Sequence, residues 1–289
     1  MRSETEMMEL ILGTAREDAR IRAVYMNGSR TNPNVPKDIF QDYDIVYVVT
    51  ETKSFIEDKT WIDRFGDRLF MQYPDENPEF PNEAQDFYGW LMQFADGNRL
   101  DLHVETVSHA CENIQKDRLC RILLDKDGIL PDMPEATDAD YHVKRPTETA
   151  YHCACNEFWW CLDNVAKGLW REELPYVQDM LNFHIRKELE KMLSWKAGIL
   201  TSFSVSVGKS GKYLYRWLPE EDWQDYLSTY CAAKAEDCWE AVETMCGLFR
   251  RTASYVGEKL NYRYDAQEGE NCMRFLERVR ALPKDAQEI

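Results

Sequence analysis

Several features that would place a chain quickly are missing from this sequence. No apolar run approaches the roughly 20 residues that span a bilayer, so no membrane helix is expected. Positive charge is outweighed: 35 Lys and Arg face 52 Asp and Glu, for a net charge of −17. No Lys/Arg-rich patch stands out against that background, which argues against enzymes that must meet a polyanion, such as polymerases and RNA-tailing proteins. The nine cysteines form no zinc pattern. Cys153 and Cys155 beside His152 fall in a stretch that reads as helix, where positions i and i+2 diverge, so reduced and mostly packed thiols are expected instead. Internal repeats and low-complexity tracts are absent. The opening, Met1-Arg2-Ser3-Glu4-Thr5-Glu6, is polar and acidic and carries no apolar leader, so a cytoplasmic location is expected. Nothing in the pattern specifies an oligomer.

What is present is a set of three short stretches. The segment Ile21 to Met26 reads as a strand that stops at Gly28, where a glycine permits a tight turn and a close approach of phosphate to the backbone. Ser29 and Arg30 add a hydroxyl and a guanidinium at that turn. After a polar, proline-containing loop, Asp42-Tyr43-Asp44 opens a β-branched run to Val49. Side chains two apart on a strand share a face, so Asp42 and Asp44 project together. Two carboxylates in one place repel, and a hard cation such as Mg²⁺, its shell completed by phosphate oxygens, relieves them. The third stretch is the second half of a hairpin. Phe87–Phe94 and Arg99–Val107 alternate apolar and polar residues around Ala95-Asp96-Gly97-Asn98, whose last two residues can take positive φ. Leu100, Leu102 and Val104 share one side of that strand; Asp101, His103 and Glu105 share the other. If it pairs beside the strand of Asp42 and Asp44, Asp101 completes a three-carboxylate cluster able to hold two metal ions. Each stretch alone has a plainer reading: a turn, a solvated strand end, a surface acid on an edge strand. His103 and Glu105 read more simply as satisfied polar residues at a sheet edge.

Gly28-Ser29, then Asp42-x-Asp44, then Asp101 on a later strand resembles the nucleotidyltransferase superfamily, with its polymerase-beta-like fold. More narrowly, the chain is similar to the aminoglycoside 6-adenylyltransferase family, whose activity is streptomycin inactivation. That likeness rests on Arg2 to Asp44, on the block from Asp163 to Tyr176 and on Gly208-Lys209-Ser210-Gly211-Lys212-Tyr213-Leu214, and it runs over nearly the whole chain. The resemblance implies an α+β nucleotidyltransferase domain with a mixed sheet, followed by an all-helical domain, with ligands between them. It implies ATP as co-substrate, two Mg²⁺ ions on Asp42, Asp44 and Asp101, and AMP transfer to a hydroxyl of streptomycin. The β- and γ-phosphates would lie at Gly28, Ser29 and Arg30, with Asp101 as general base or, if Asp101 binds metal and is thereby a weaker base, with the ion itself acidifying the hydroxyl. Lys167, inside a family block, becomes a candidate phosphate contact, although surface lysines on helices are common. The alternatives are another small molecule, such as a lincosamide or a different aminoglycoside, a protein target, or a catalytically dead nucleotide-sensing module.

The acidity suits a small cationic antibiotic, since focused negative potential concentrates a polycation; solubility alone would explain it equally well. Glu157, Trp160 and Asp163, three apart on a predicted helix, offer carboxylates and a ring to guanidinium groups. The simpler reading of that spacing is an exposed acidic helix with Trp160 packed in the core. The loop at Gly208–Lys212 contains Gly-Lys-Ser, yet a phosphate-binding loop needs glycine where Phe203 stands, so it is read as a solvated loop in which Lys209 or Lys212 can at most offer a point charge. The division into domains is expected at residues 1–135 and 136–289, around Asp127-Gly128, Pro131 and Pro134. Before it, a Ser3-x-x-Glu6 capping box starts a helix to about Arg20, strands follow near 21–27, 42–50, 67–73, 87–94 and 99–107, and helices near 54–65 and 108–123. After it, helices are expected from Thr147, from Leu174-Pro175 to about Lys196, and near 220–234, 236–260 and 270–281.

Overall fold

The capping box forms as the sequence implies: Ser3 Oγ accepts from the Glu6 amide at 3.3 Å and the Glu6 carboxylate accepts from the Ser3 amide at 2.8 Å. It starts helix α1, Glu4–Glu17, in a computed structural model that describes residues 1–79 and 86–289. The described chain divides into two compact units, Met1–Asp140 and Tyr141–Ile289, a boundary slightly later than the sequence pattern suggests.

In the first unit, strands β1 (Ile21–Asn27), β2 (Tyr43–Val49), β3 (Arg68–Gln72), β4 (Phe87–Phe94), β5 (Arg99–Thr106) and β6 (Cys120–Asp125) form one sheet in the order β3-β4-β5-β2-β1-β6. Only β2 and β5 pair in parallel among the described strands, so the sheet is mixed. The β4–β5 hairpin closes through Gly97, at φ +90°, while the Asp96 carboxylate accepts from the Asn98 amide at 3.0 Å. Strand alternation then sorts the side chains. Val24, Met26, Ile45, Tyr47, Leu100, Leu102 and Val104 pack with Met7 and Ile11 of α1 on one face. Ala23, Tyr25, Val46 and Val48 pack on the other with Ala110 and Ile114.

Two expected helices turn out differently. The stretch near 54–65 is a short helix α2, Lys53–Glu57, then a separate 3₁₀ turn, Trp61–Phe65. The Asp58 carboxylate accepts from the Thr60 amide at 3.0 Å and hydroxyl at 2.7 Å, a local turn that competes with the helical hydrogen bonds. The stretch near 108–123 begins as helix α3, Val107–Asn113, but Cys120–Asp125 is β6, antiparallel to β1. A short apolar run does not reveal its own periodicity, and pairing with β1 decides it.

The second unit is helical: α4 (Glu148–Trp170), α5 (Leu174–Asp179), α6 (Arg186–Leu200), α7 (Glu220–Ser228), α8 (Ala235–Leu260) and α9 (Ala266–Ala281). Thr147 caps α4, accepting from the Ala150 amide at 3.1 Å, and Pro175 sits in the first turn of α5, where its missing N–H costs nothing. A π-helical stretch, Met180–Ile185, joins α5 to α6 in place of the continuous α-helix that the sequence pattern implies. Its wider turns shift the helical phase, and Arg186 arrives buried, donating to the Thr229 carbonyl at 2.8 Å. Thr229 in turn donates to the Tyr226 carbonyl at 2.6 Å, and α7 stops there, short of the expected residue 234. The core of this unit centres on Phe158 of α4, stacked on Phe249 of α8 with ring centroids 3.7 Å apart and planes within 4°. Phe249 is fully buried, so Phe249→Ala should destabilise the protein by about 3–5 kcal/mol in urea unfolding. A loss under about 1 kcal/mol would contradict this packing.

Candidate active site

Parallel pairing of β2 with β5 sets Asp44 directly beside Asp101. Antiparallel pairing of β2 with β1 sets Asn27, the residue before Gly28, on its other side. Asp42 lies just ahead of β2, and the three carboxylates offer one oxygen each within 4.8 Å of one another. They are the one such group of potential metal ligands among the described residues. Asp101 is buried, and Asp42 and Asp44 are half-buried.

Gly28 is required at this point. Its φ is +75°, and a Cβ built there would lie 2.0 Å from Asp44 Oδ2, so any side chain would drive into the cluster. The Gly28 carbonyl accepts from the Thr31 amide at 3.1 Å and hydroxyl at 2.8 Å, closing a single 3₁₀ turn, Ser29–Thr31. Gln41 Nε2 donates to the Ser29 carbonyl at 3.3 Å. Arg30 is engaged within the loop: it donates to the carbonyls of Gln41 at 2.8 Å and Asp42 at 2.9 Å, and its guanidinium lies 3.7 Å from the Tyr43 ring centroid. In this structure it braces the segment that carries Asp42.

Crowding has an electrostatic consequence. Burial, then the charges of Asp42 and Asp101, push the Asp44 carboxyl up to about 7. Arg99 opposes this. It donates from Nε to Asp101 Oδ1 at 2.8 Å and from Nη2 to Asp101 Oδ2 at 2.6 Å, and its Nε stands 3.7 Å from Asp42 Oδ2. Arg99 is absent from the residues that the sequence pattern singles out, although the alternation that groups Asp101 with His103 and Glu105 puts it on the same face. A mutually repelling set of three oxygen donors with room for only partial compensation by one guanidinium is a donor set that fits a hard divalent cation.

Glu105 is satisfied, and both it and His103 lie inside the sheet rather than at an edge. His103 stacks on Phe87 with centroids 4.7 Å apart, and burial lowers its proton affinity. Glu105 is 1% exposed, accepts from Tyr25 Oη and lies 2.7 Å from His109 Nδ1. The candidate binding residues of the helical unit all sit on α4. Trp160 is 69% exposed, and its neighbour Trp159 is the one packed in the core, at 2%. Trp160 and Asp163 line a shallow groove with Glu268 and Phe275, whereas Glu157 accepts from Cys161 Sγ at 3.3 Å. Lys167 forms an ion pair with Asp163, one helical turn away. At Lys209–Gly211 there is a 3₁₀ turn with no α-helix starting from it, unlike a phosphate-binding loop.

A carboxyl whose proton affinity is higher folded than unfolded makes the protein lose stability as pH rises from about 4 to about 7. In chelator, Asp44→Asn should therefore be more stable than the wild type at pH 8, by on the order of 2 kcal/mol, with the gap closing by pH 4. Urea titrations at both pH values check this, and a variant less stable at pH 8 would contradict the repulsion. Gly28→Ala should displace Asp44 and lower stability by more than about 1 kcal/mol, the usual cost of a strained positive φ being compounded by the clash.

Comparison with known proteins places these features in a family. Residues 1–279 match the family model of streptomycin adenylyltransferase. The aminoglycoside 6-adenylyltransferase of Campylobacter jejuni is 41% identical over 264 residues, 91% of each chain. That of Bacillus subtilis is 40% identical over 271 residues, covering 93% of this chain and 95% of the relative. That of Staphylococcus aureus is 32% identical over 269 residues, with the same 93% and 95% coverage. A crystal structure of an aminoglycoside 6-adenyltransferase from Bacillus subtilis is 34% identical and covers 98% of this chain and 100% of that one, with a TM-score of 0.49. The extent and identity of the sequence matches are decisive: the chain belongs to the streptomycin adenylyltransferase family, together with the aminoglycoside 6-adenylyltransferases.

Proposed function

We propose that this protein transfers AMP from ATP to a hydroxyl of an aminoglycoside, with streptomycin as the substrate, and so confers resistance. The observation that carries the reading is the meeting of Asp42, Asp44 and Asp101, one oxygen each within 4.8 Å, beside the Gly28 turn. Asp42, Asp44 and Asp101 would hold Mg²⁺, and the ion would supply positive charge to offset the negative charge gathering at the α-phosphorus. Gly28 keeps the turn low enough for a triphosphate to approach, and the Ser29 hydroxyl and the adjacent backbone receive its outer oxygens. Arg30 supports that surface by fixing the 41–42 backbone through Nε and Nη2, and its Nη1, 3.6 Å from Glu4 Oε2, is the nitrogen proposed to turn to phosphate.

The chemistry is an in-line displacement. The substrate hydroxyl oxygen forms a bond to the α-phosphorus, the bond to the bridging oxygen of the β-phosphate breaks, and pyrophosphate leaves with its electron pair. Asp101 receives the hydroxyl proton, and its burial beside the cluster keeps bulk water from competing for that role.

Glu157, Trp160 and Asp163 of α4 are proposed to recognise the guanidinium groups of the drug. Support comes from the exposure of the Trp160 ring and from the shallow, mainly apolar groove in which it lies near Asp163 and Glu268. Lys167 contacts a phosphate in this scheme by exchanging Asp163 for it. The net charge of −17 suits a polycationic substrate, and no helix among the described residues is long and apolar enough to cross a membrane.

Incubation with ATP, Mg²⁺ and streptomycin should give an AMP-sized mass gain on the drug together with pyrophosphate release. Asp101→Asn should lower that turnover by about 10²–10⁴-fold while calorimetry still registers ATP binding. Near-normal turnover by this variant would remove Asp101 from the chemistry. Transfer to another aminoglycoside, a lincosamide or a polypeptide, with streptomycin untouched, would replace the substrate and keep the reaction.

A further inference from the structure

Arg99 opens β5 two residues before Asp101, so both side chains leave the same face of the strand. Its guanidinium grips Asp101 in a fork, using both carboxylate oxygens at 2.8 and 2.6 Å, and leans toward Asp42 at 3.7 Å. This is the geometry in which arginine binds a carboxylate most strongly. Its place is also the place of a metal ion, because Asp101 and Asp42 are two of the three proposed ligands. A guanidinium and a divalent cation on the same carboxylate repel one another, with little solvent between them to screen the charge. The Asp101 side chain is 11% exposed, whereas that of Arg99 is 46% exposed. The acid is therefore fixed by its strand, and the arginine can swing outward into water without disturbing a packed core.

We propose that Arg99 is the built-in counter-cation of the acid cluster: it holds Asp101 and faces Asp42 while the site carries no metal, and it yields Asp101 when a divalent cation binds. The inference rests on the metal-binding reading above. Arg99 is a positioning residue in this scheme. It offsets part of the carboxylates' mutual repulsion before the metal arrives, and it lowers metal affinity because each binding event must first break the fork. Metal and Arg99 compete for Asp101, so the coupling between them is unfavourable and reciprocal.

A residue with a purely structural role would make metal binding weaker when removed. A competing cation would make it tighter, and that sign separates the two. Mn²⁺ alone, without nucleotide, can be titrated by electron paramagnetic resonance into the wild type, Arg99→Gln, Arg99→Lys and Asp44→Asn. Arg99→Gln should bind Mn²⁺ about five-fold or more tighter than the wild type. Its metal-free Tm should fall, and the deficit should shrink at saturating Mn²⁺. Arg99→Lys, which keeps the charge but cannot form the fork, should fall between the wild type and Arg99→Gln in both measurements. Unchanged or weaker Mn²⁺ binding by a folded Arg99→Gln protein, with the wild type binding normally, overturns the role of Arg99 and leaves the metal site standing. A wild type that binds no Mn²⁺, or binds it as well after Asp44→Asn, overturns the metal site and the inference together. The wild type supplies a readout that does not depend on a variant folding. The Arg99 Nε–H resonance, assigned by its absence from Arg99→Lys, should be sheltered from solvent exchange in chelator and lose that shelter as Mg²⁺ saturates. Equal protection in both conditions contradicts displacement.

Discussion

Mutual repulsion among Asp42, Asp44 and Asp101 is the constraint around which the first unit is built. Three acids with one oxygen each inside 4.8 Å would separate in a flexible chain. Here two of them are fixed by strand pairing that also buries the core. Asp44 and Asp101 are adjacent because β2 and β5 run parallel in a register that places Ile45 beside Leu102 and Tyr47 beside Val104 on the opposite face. A slip of one residue in either strand would turn that strand's apolar side chains out of the core and its acid into it. The packing that stabilises the sheet thus holds the carboxylates together against their charge, and Arg99 offsets part of what remains.

The same constraint explains the surroundings of the cluster. Gly28 has no Cβ because Asp44 occupies the space one would take. Arg30 ties down the carbonyls of residues 41 and 42, so Asp42 is delivered at a defined height although it precedes the strand proper. Further along β5, Glu105 is also buried, but Tyr25 and His109 satisfy it. One strand therefore carries an acid with a hydroxyl and an imidazole as partners, and an acid that shares one arginine's reach with two more carboxylates. That difference, more than burial alone, marks the end at Asp101 as the one suited to a cation.

Much of this is legible in the residues. Period-two alternation assigns the faces of β2 and β5, and the Gly97 turn marks the hairpin, because both depend only on local geometry. The parallel pairing of β2 with β5 enters as a condition rather than a deduction, since sequence periodicity says which face a residue occupies and not which strand lies beside it. Cys120–Asp125 reads as the end of a helix for the same reason: the edge of β1 that claims it is far away in the chain. The π stretch at Met180–Ile185 has no sequence period of its own and follows from tertiary packing around Arg186. At the site, the acids are visible as acids. The engagements of Arg30 and Arg99 are not, because a charged side chain beside several partners is assigned only when coordinates choose among them.

The family membership fixes the class of chemistry, and the central physical claim is that this cluster is a cation site. Anomalous diffraction from crystals grown with Mn²⁺ and a non-hydrolysable ATP analogue tests it most directly. The account predicts a peak within bonding distance of carboxylate oxygens from Asp42, Asp44 and Asp101, with the analogue's phosphates beside the Gly28 turn. Ordered nucleotide with no manganese peak at these three carboxylates, or with manganese bound elsewhere, would contradict it.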